Sequence, residues 1–127
     1  MAVVEAKIQT VEDIYRLVWD AIANKRPISA TYKKLPRLFC PHRLGCNRAG
    51  ERRVLCYQYG GVSESGLAPM GSPDNWRCIV LEKLRAVSLL DDADWTSAPN
   101  HSRPATCVVN ADIDAEDLPQ REPLKGY

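Results

Sequence analysis

Between Thr10 and Lys25 apolar residues recur at helical spacing, and Pro27 forbids the helix to continue. Val11, Ile14, Val18 and Ile22 form one stripe, joined by Tyr15 and Leu17. Thr10 is placed to cap this helix, and Asp13, three residues on, completes a capping box. One amphipathic helix cannot bury its own stripe, so the rest of the chain must supply an apolar surface.

That remainder reads as short strands. Ile28 to Lys33, Arg37 to Cys46, Glu51 to Tyr59, Trp76 to Leu81 and Ala86 to Leu90 are each β-compatible. Pro41 has no amide hydrogen for a ladder, so the second strand is expected to bulge or lie at an edge there, with a bend at Pro41 or Gly45. Asn47 to Gly50 reads as a hairpin loop, and Leu84 as part of a tight turn. Gly60 to Asn75 is longer than a hairpin needs, the length at which loops become lids or insertions. The predicted fold is mainly β with an N-terminal α-helix, packed on a small five-stranded, mostly antiparallel β-barrel within residues 1–94. Residues 95–127, rich in acids and proline, read as a partly disordered tail whose one β-like piece is Cys107-Val108-Val109.

Charge is unevenly spread. Twelve bases face four acids between Lys25 and Arg85, whereas three bases face eight acids from Ala86 to Tyr127. A basic middle draws anionic ligands, and an acidic tail can compete with them. No apolar run is long enough for a bilayer, and Glu5 interrupts the place where an export signal would need its apolar core. A cytoplasmic location is therefore expected. The five cysteines, Cys40, Cys46, Cys56, Cys78 and Cys107, are odd in number. They are expected to be reduced and to sit in strands as small apolar residues.

Within Ala21 to Asp92 the order of residues resembles the WYL domain, a bacterial ligand-sensing family. The resemblance is carried by Ala21-Ile22 before Lys25-Arg26 and Tyr32, by Arg37, Pro41 and Leu44, and by Arg77, Ile79, Leu81, Glu82, Lys83, Leu84 and Val87. The tripeptide that names the family stands here as Arg53-Val54-Leu55, keeping only its leucine. Glu82 and Lys83 replace an Asp and an Arg. One helix is too little for the upstream helix-turn-helix usual in the family, so the resemblance implies a stand-alone or shortened version. It further implies an Sm-like or SH3-like barrel that binds nucleic acid or a nucleotide-like anion in transcriptional or defence regulation.

Strand alternation sorts the candidate ligand residues. Arg37, Phe39 and Arg43 share one face; Arg53, Leu55, Tyr57 and Tyr59 another; Arg77, Ile79 and Leu81 a third. Cations beside flat rings suit a single nucleic-acid strand. The candidate ligand-binding set is Arg37, Arg43, Arg53, Tyr57, Arg77 and Lys83. The plainer reading puts the rings in the core, with the arginines reaching outward.

No enzyme activity and no cofactor is expected. The histidines are His42 and His101, and the Gly60 to Gly66 run lacks the Lys-Ser/Thr ending of a phosphate-binding loop. Cys40, His42 and Cys46 suggest zinc, but on one extended strand the two cysteines stand about 20 Å apart. Two rival functions remain: a protein–protein adaptor using a barrel edge and the tail, and a metal-dependent hydrolase built on Asp91 to Asp94.

Overall fold

The computed structural model describes residues 9–63, 66–90, 94–95 and 107–116. Helix α1 spans Val11–Asn24. Thr10 Oγ1 accepts from the Asp13 amide, and Asp13 Oδ2 accepts from the Thr10 amide, each at 3.0 Å. The capping box expected from sequence is therefore formed. Lys25 ends the helix in a left-handed conformation, φ 53°. Ile14, Val18, Trp19, Ala21 and Ile22 are its buried residues.

Among the described residues six strands follow: β1 Ile28–Tyr32, β2 Leu35–Cys46, β3 Arg52–Gly61, β4 Trp76–Val80, β5 Leu84–Leu89 and β6 Asn110–Asp114. Two single 3-10 turns, Pro73–Asn75 and Leu81–Lys83, precede β4 and β5. The five strands read from sequence are all present. The turn assigned to Leu84 lies just before it. All pairings are antiparallel, in the order β4-β3-β2-β1-β5, with β6 added to the far half of β2. The sheet is not closed, and its sixth strand comes from the region read as a tail. Much of that tail, and Asp91 to Ala93, lies outside the described residues.

Register decides which side chains face the helix. Leu44 pairs with Val54 and Val54 with Ile79, and all three belong to the core cluster beneath α1. Alternation carries that inner face to Cys56, Gln58, Arg77, Phe39 and Arg37. The register slips between Pro41 and Arg43. This bulge moves Arg43 opposite Leu55, off the face of Arg37 and Phe39 on which simple alternation had placed it.

The opposite face is also covered. Cys40, Leu55, Tyr57, Trp76, Cys107 and Val108 form a second cluster. Segment 107–116 reaches it because Gly45 lets β6 approach: a Cβ at Gly45 would collide with the Asn110 carbonyl. The approach joins Cys78 to Cys107 in a disulfide, Cα to Cα 5.7 Å. This corrects the expectation that all five cysteines are reduced. An odd number forbids pairing them all, not pairing two, and the return of β6 brings together residues 29 apart in sequence. Cys40, Cys46 and Cys56 form no disulfide, and burial pushes the Cys56 thiol well up from its ordinary range.

Candidate anion-binding site

One corner of the inner face is polar where the rest is apolar. Along β3 the inner positions run Val54, Cys56, Gln58; along β2 and β4 they include Arg37 beside Phe39 and Arg77 beside Ile79. Arg37 is only 5% exposed, and Gln58 is fully buried. Arg37 Nη1 donates to Gln58 Oε1 at 3.5 Å, a long bond, and its guanidinium lies 5.2 Å from the Tyr32 ring centre. Among the described residues no carboxylate pairs with Arg37.

Arg77 approaches from β4. Its Nη1 donates to the Asp74 carbonyl at 2.7 Å, and its Nη2 to the Gly66 carbonyl at 3.1 Å and Ser63 Oγ at 3.4 Å. These bonds fasten it to the loop after β3. Burial lowers its pKa first, and the charge of Arg37 lowers it further, with Asp74 a partial offset. Both guanidinium groups converge on the loop after β3, Arg37 through Gln58, which holds Val62, and Arg77 through Ser63. The Nε atoms of Arg37 and Arg77 are both buried and have no hydrogen-bond partner.

Gln58 holds the same loop. Its Nε2 donates to the carbonyls of Gly60 at 3.0 Å and Val62 at 3.1 Å, which fixes its Oε1 toward Arg37. The β1–β2 turn adds exposed charge. Lys33 and Lys34 both take left-handed φ values, 55° and 65°. Such turns normally carry Asn-Gly, because a Cβ is strained there. Lys33 Nζ lies 5.7 Å from the same Tyr32 ring that Arg37 faces. Neither lysine has an acid partner among the described residues.

The other candidates stand elsewhere. Arg43 Nε donates to Asp114 Oδ2 at 2.8 Å, both side chains being mostly buried. Arg53 Nε donates to Glu51 at 3.0 Å, which holds the Glu51 carboxyl below its usual range. Lys83 is exposed in the turn before β5, and its charge acts on Glu51. Tyr57 is fully buried, its hydroxyl donating to the Ser72 carbonyl at 2.9 Å and accepting from the Gly71 amide at 2.8 Å. Phe39 is fully buried as well, so neither ring offers a stacking platform.

The structure therefore brings Arg37 and Arg77 to the same loop and ties Arg43 and Arg53 to carboxylates elsewhere; Lys83 lies in the turn before β5, and Tyr57, bonded to the same loop at Ser72, is buried in the outer cluster. Sequence reasoning missed Gln58, Lys33 and Lys34. The signal for Gln58 was present: it is the polar residue that follows Val54 and Cys56 in the inner-face alternation of β3. His42 is buried, with Nδ1 donating to the Cys40 carbonyl at 2.8 Å and its ring 4.8 Å from Trp76 and 4.5 Å from Trp95. It belongs to the outer cluster. Among the described residues, no group of three His, Cys, Asp or Glu is arranged to hold a metal. No helix there is long and apolar enough to cross a membrane. No protein-family model, curated protein or solved structure matches the chain.

Proposed function

We propose that this chain is a binding module for nucleotide-like anions, free or carried on a single nucleic-acid strand, and that the Arg37–Gln58–Arg77 cluster is its recognition site. One observation carries the reading: a guanidinium 5% exposed, with no carboxylate against it among the described residues, bonded to the Gln58 that holds Val62, while a second guanidinium is fastened to the adjoining Ser63. An unpaired buried charge costs several kcal/mol as a rule, so a site that keeps one is poised for a counter-charge from outside. Arginine suits phosphate because its planar fork of donors matches phosphate oxygens. The resemblance to the WYL domain points to the same ligand class and to transcriptional or defence regulation. The strand order, with β4 and β5 linked by one 3-10 turn, supports the small-barrel architecture that goes with it. With Phe39 and Tyr57 in the cores, recognition rests on phosphate rather than on base stacking.

The test is binding of a short single strand and of a mononucleotide across a salt series. Affinity is expected to fall with salt by about 0.7 log units per phosphate contact for each log unit of salt. Replacing Arg37 and Arg77 together by Ala should weaken binding and flatten that slope. The reading fails if the intact protein binds neither ligand at low salt, or if the double variant keeps the original slope. The adaptor alternative has its own support, since Val62, Leu67 and Met70 are exposed on the loop beside the cluster. Recovery of a protein partner through that loop, without anion binding, would favour it.

A further inference from the structure

The depth of the cluster bears on which kind of phosphate it can take, granted the anion-binding reading above. Arg37 and Gln58 are buried, whereas Arg77 is half-buried and Lys33 and Lys34 are exposed. A ligand reaching Arg37 must therefore push a group inward, below the surface of the corner. An internal phosphodiester cannot readily do this, because two of its four oxygens are tied into the chain on either side. It also brings a single negative charge to a corner that holds two guanidinium groups. A terminal phosphate monoester projects beyond its sugar, presents three free oxygens and carries about −1.5 to −2 at neutral pH. Its oxygens match the two buried Nε–H donors, which have no partner among the described residues.

We infer that the Arg37–Gln58–Arg77 corner takes a terminal phosphate monoester, the phosphorylated end of a nucleotide or of a nucleic-acid strand, in preference to an internal phosphodiester. Lys33 and Lys34, on the exposed turn, meet the next phosphates of a longer ligand by charge alone. Gln58 acts as a positioning residue. It spends its amide hydrogens on Gly60 and Val62, and so offers Arg37 only an oxygen.

The experiment uses the full chain and one short single strand made in three forms: phosphorylated at the 5′ end, phosphorylated at the 3′ end, and hydroxyl at both ends. A nucleoside and its monophosphate form a second pair. Fluorescence anisotropy or calorimetry reads the affinities. At least one phosphorylated strand is expected to bind about tenfold or more tightly than the hydroxyl-ended strand, the scale of a charge-assisted hydrogen bond. The monophosphate is expected to bind where the nucleoside does not. Arg37→Met should erase the preference, and Arg37→Lys should keep only part of it. The comparison of strand ends needs no variant, so it stands even if a substitution disturbs folding. If all three strands bind equally and Arg37→Met weakens them equally, the cluster takes phosphodiesters: the anion site survives and the monoester preference falls. If no strand or nucleotide binds at low salt, both fall.

Discussion

Arg43 reaches Asp114 at 2.8 Å and Arg52 reaches Glu12 at 3.3 Å, and Arg53 is held by Glu51. Arg37 and Arg77 reach no carboxylate among the described residues; Asp74 meets Arg77 through its backbone oxygen. The same residue type is therefore used in two ways on one sheet. Where β6, the hairpin loop and α1 bring acids to the strands, arginine fastens one element to another. At the corner under the loop that follows β3, arginine has been buried with no acid against it among the described residues. The acids could have been supplied, since three of the strand arginines have one. The contrast separates positions where a charge is a tether from positions where it is available to a ligand.

The tethered region should be the more fragile, and its staple gives the largest effect. Replacing Cys78 and Cys107 together by Ser removes a cross-link spanning 29 residues and should lower stability by roughly 3–4 kcal/mol. Chemical denaturation reads this loss, and anion affinity should be unchanged below the transition. Next, Arg37→Met should weaken anion binding by about 10- to 100-fold. Its melting temperature should stay level or rise, because an apolar side chain of similar length replaces an unpaired buried charge. Arg43→Met should do the reverse. Removing the guanidinium from Asp114 in a mostly buried place is expected to cost about 1–2 kcal/mol, with anion affinity intact. A fall in stability for both variants, or in affinity for both, would erase the distinction between the two regions.

Smaller effects sharpen it. The Tyr15 hydroxyl donates to Asp112 at 2.6 Å, tying α1 to β6. Burial raises the Tyr15 pKa most, and the bond to Asp112 adds to it, so Tyr15 should resist ionisation in an alkaline absorbance titration. Tyr15→Phe should cost at most about 1 kcal/mol, since one hydrogen bond is lost at a partly exposed site. Smallest of all, Glu51→Gln leaves the fold and its melting temperature unchanged, because the Arg53 pair is exposed to water and screened by it.

Much of the framework was legible because it rests on local rules. The Thr10–Asp13 cap, the stop before Pro27 and five strands follow from spacing, capping chemistry and β-branched or aromatic runs. The rest depends on partners distant in sequence. Asn110–Asp114 is acidic and reads as a solvated tail, yet Gly45 opens a place for it beside β2. The disulfide follows from that docking and from nothing in the cysteine spacing. Arg37 and Arg77 were singled out by alternation on their own strands, but their meeting required the register of β3 between them. Alternation also misplaced Arg43, because one bulge beyond Pro41 reverses every later side chain of the strand. Lys33 and Lys34 carry no turn signature, since the pairing of β1 with β2 imposes their left-handed conformation.

Side-chain NMR of the arginine Nε–H groups, titrated with a nucleoside monophosphate, tests the central distinction most directly. The buried, partnerless Nε–H groups of Arg37 and Arg77 should shift together and saturate, while those of Arg43 and Arg53, already bonded to carboxylates, should hold still. Shifts spread evenly over all four, or confined to Arg43 and Arg53, would contradict the assignment of the Arg37–Arg77 corner as the anion site.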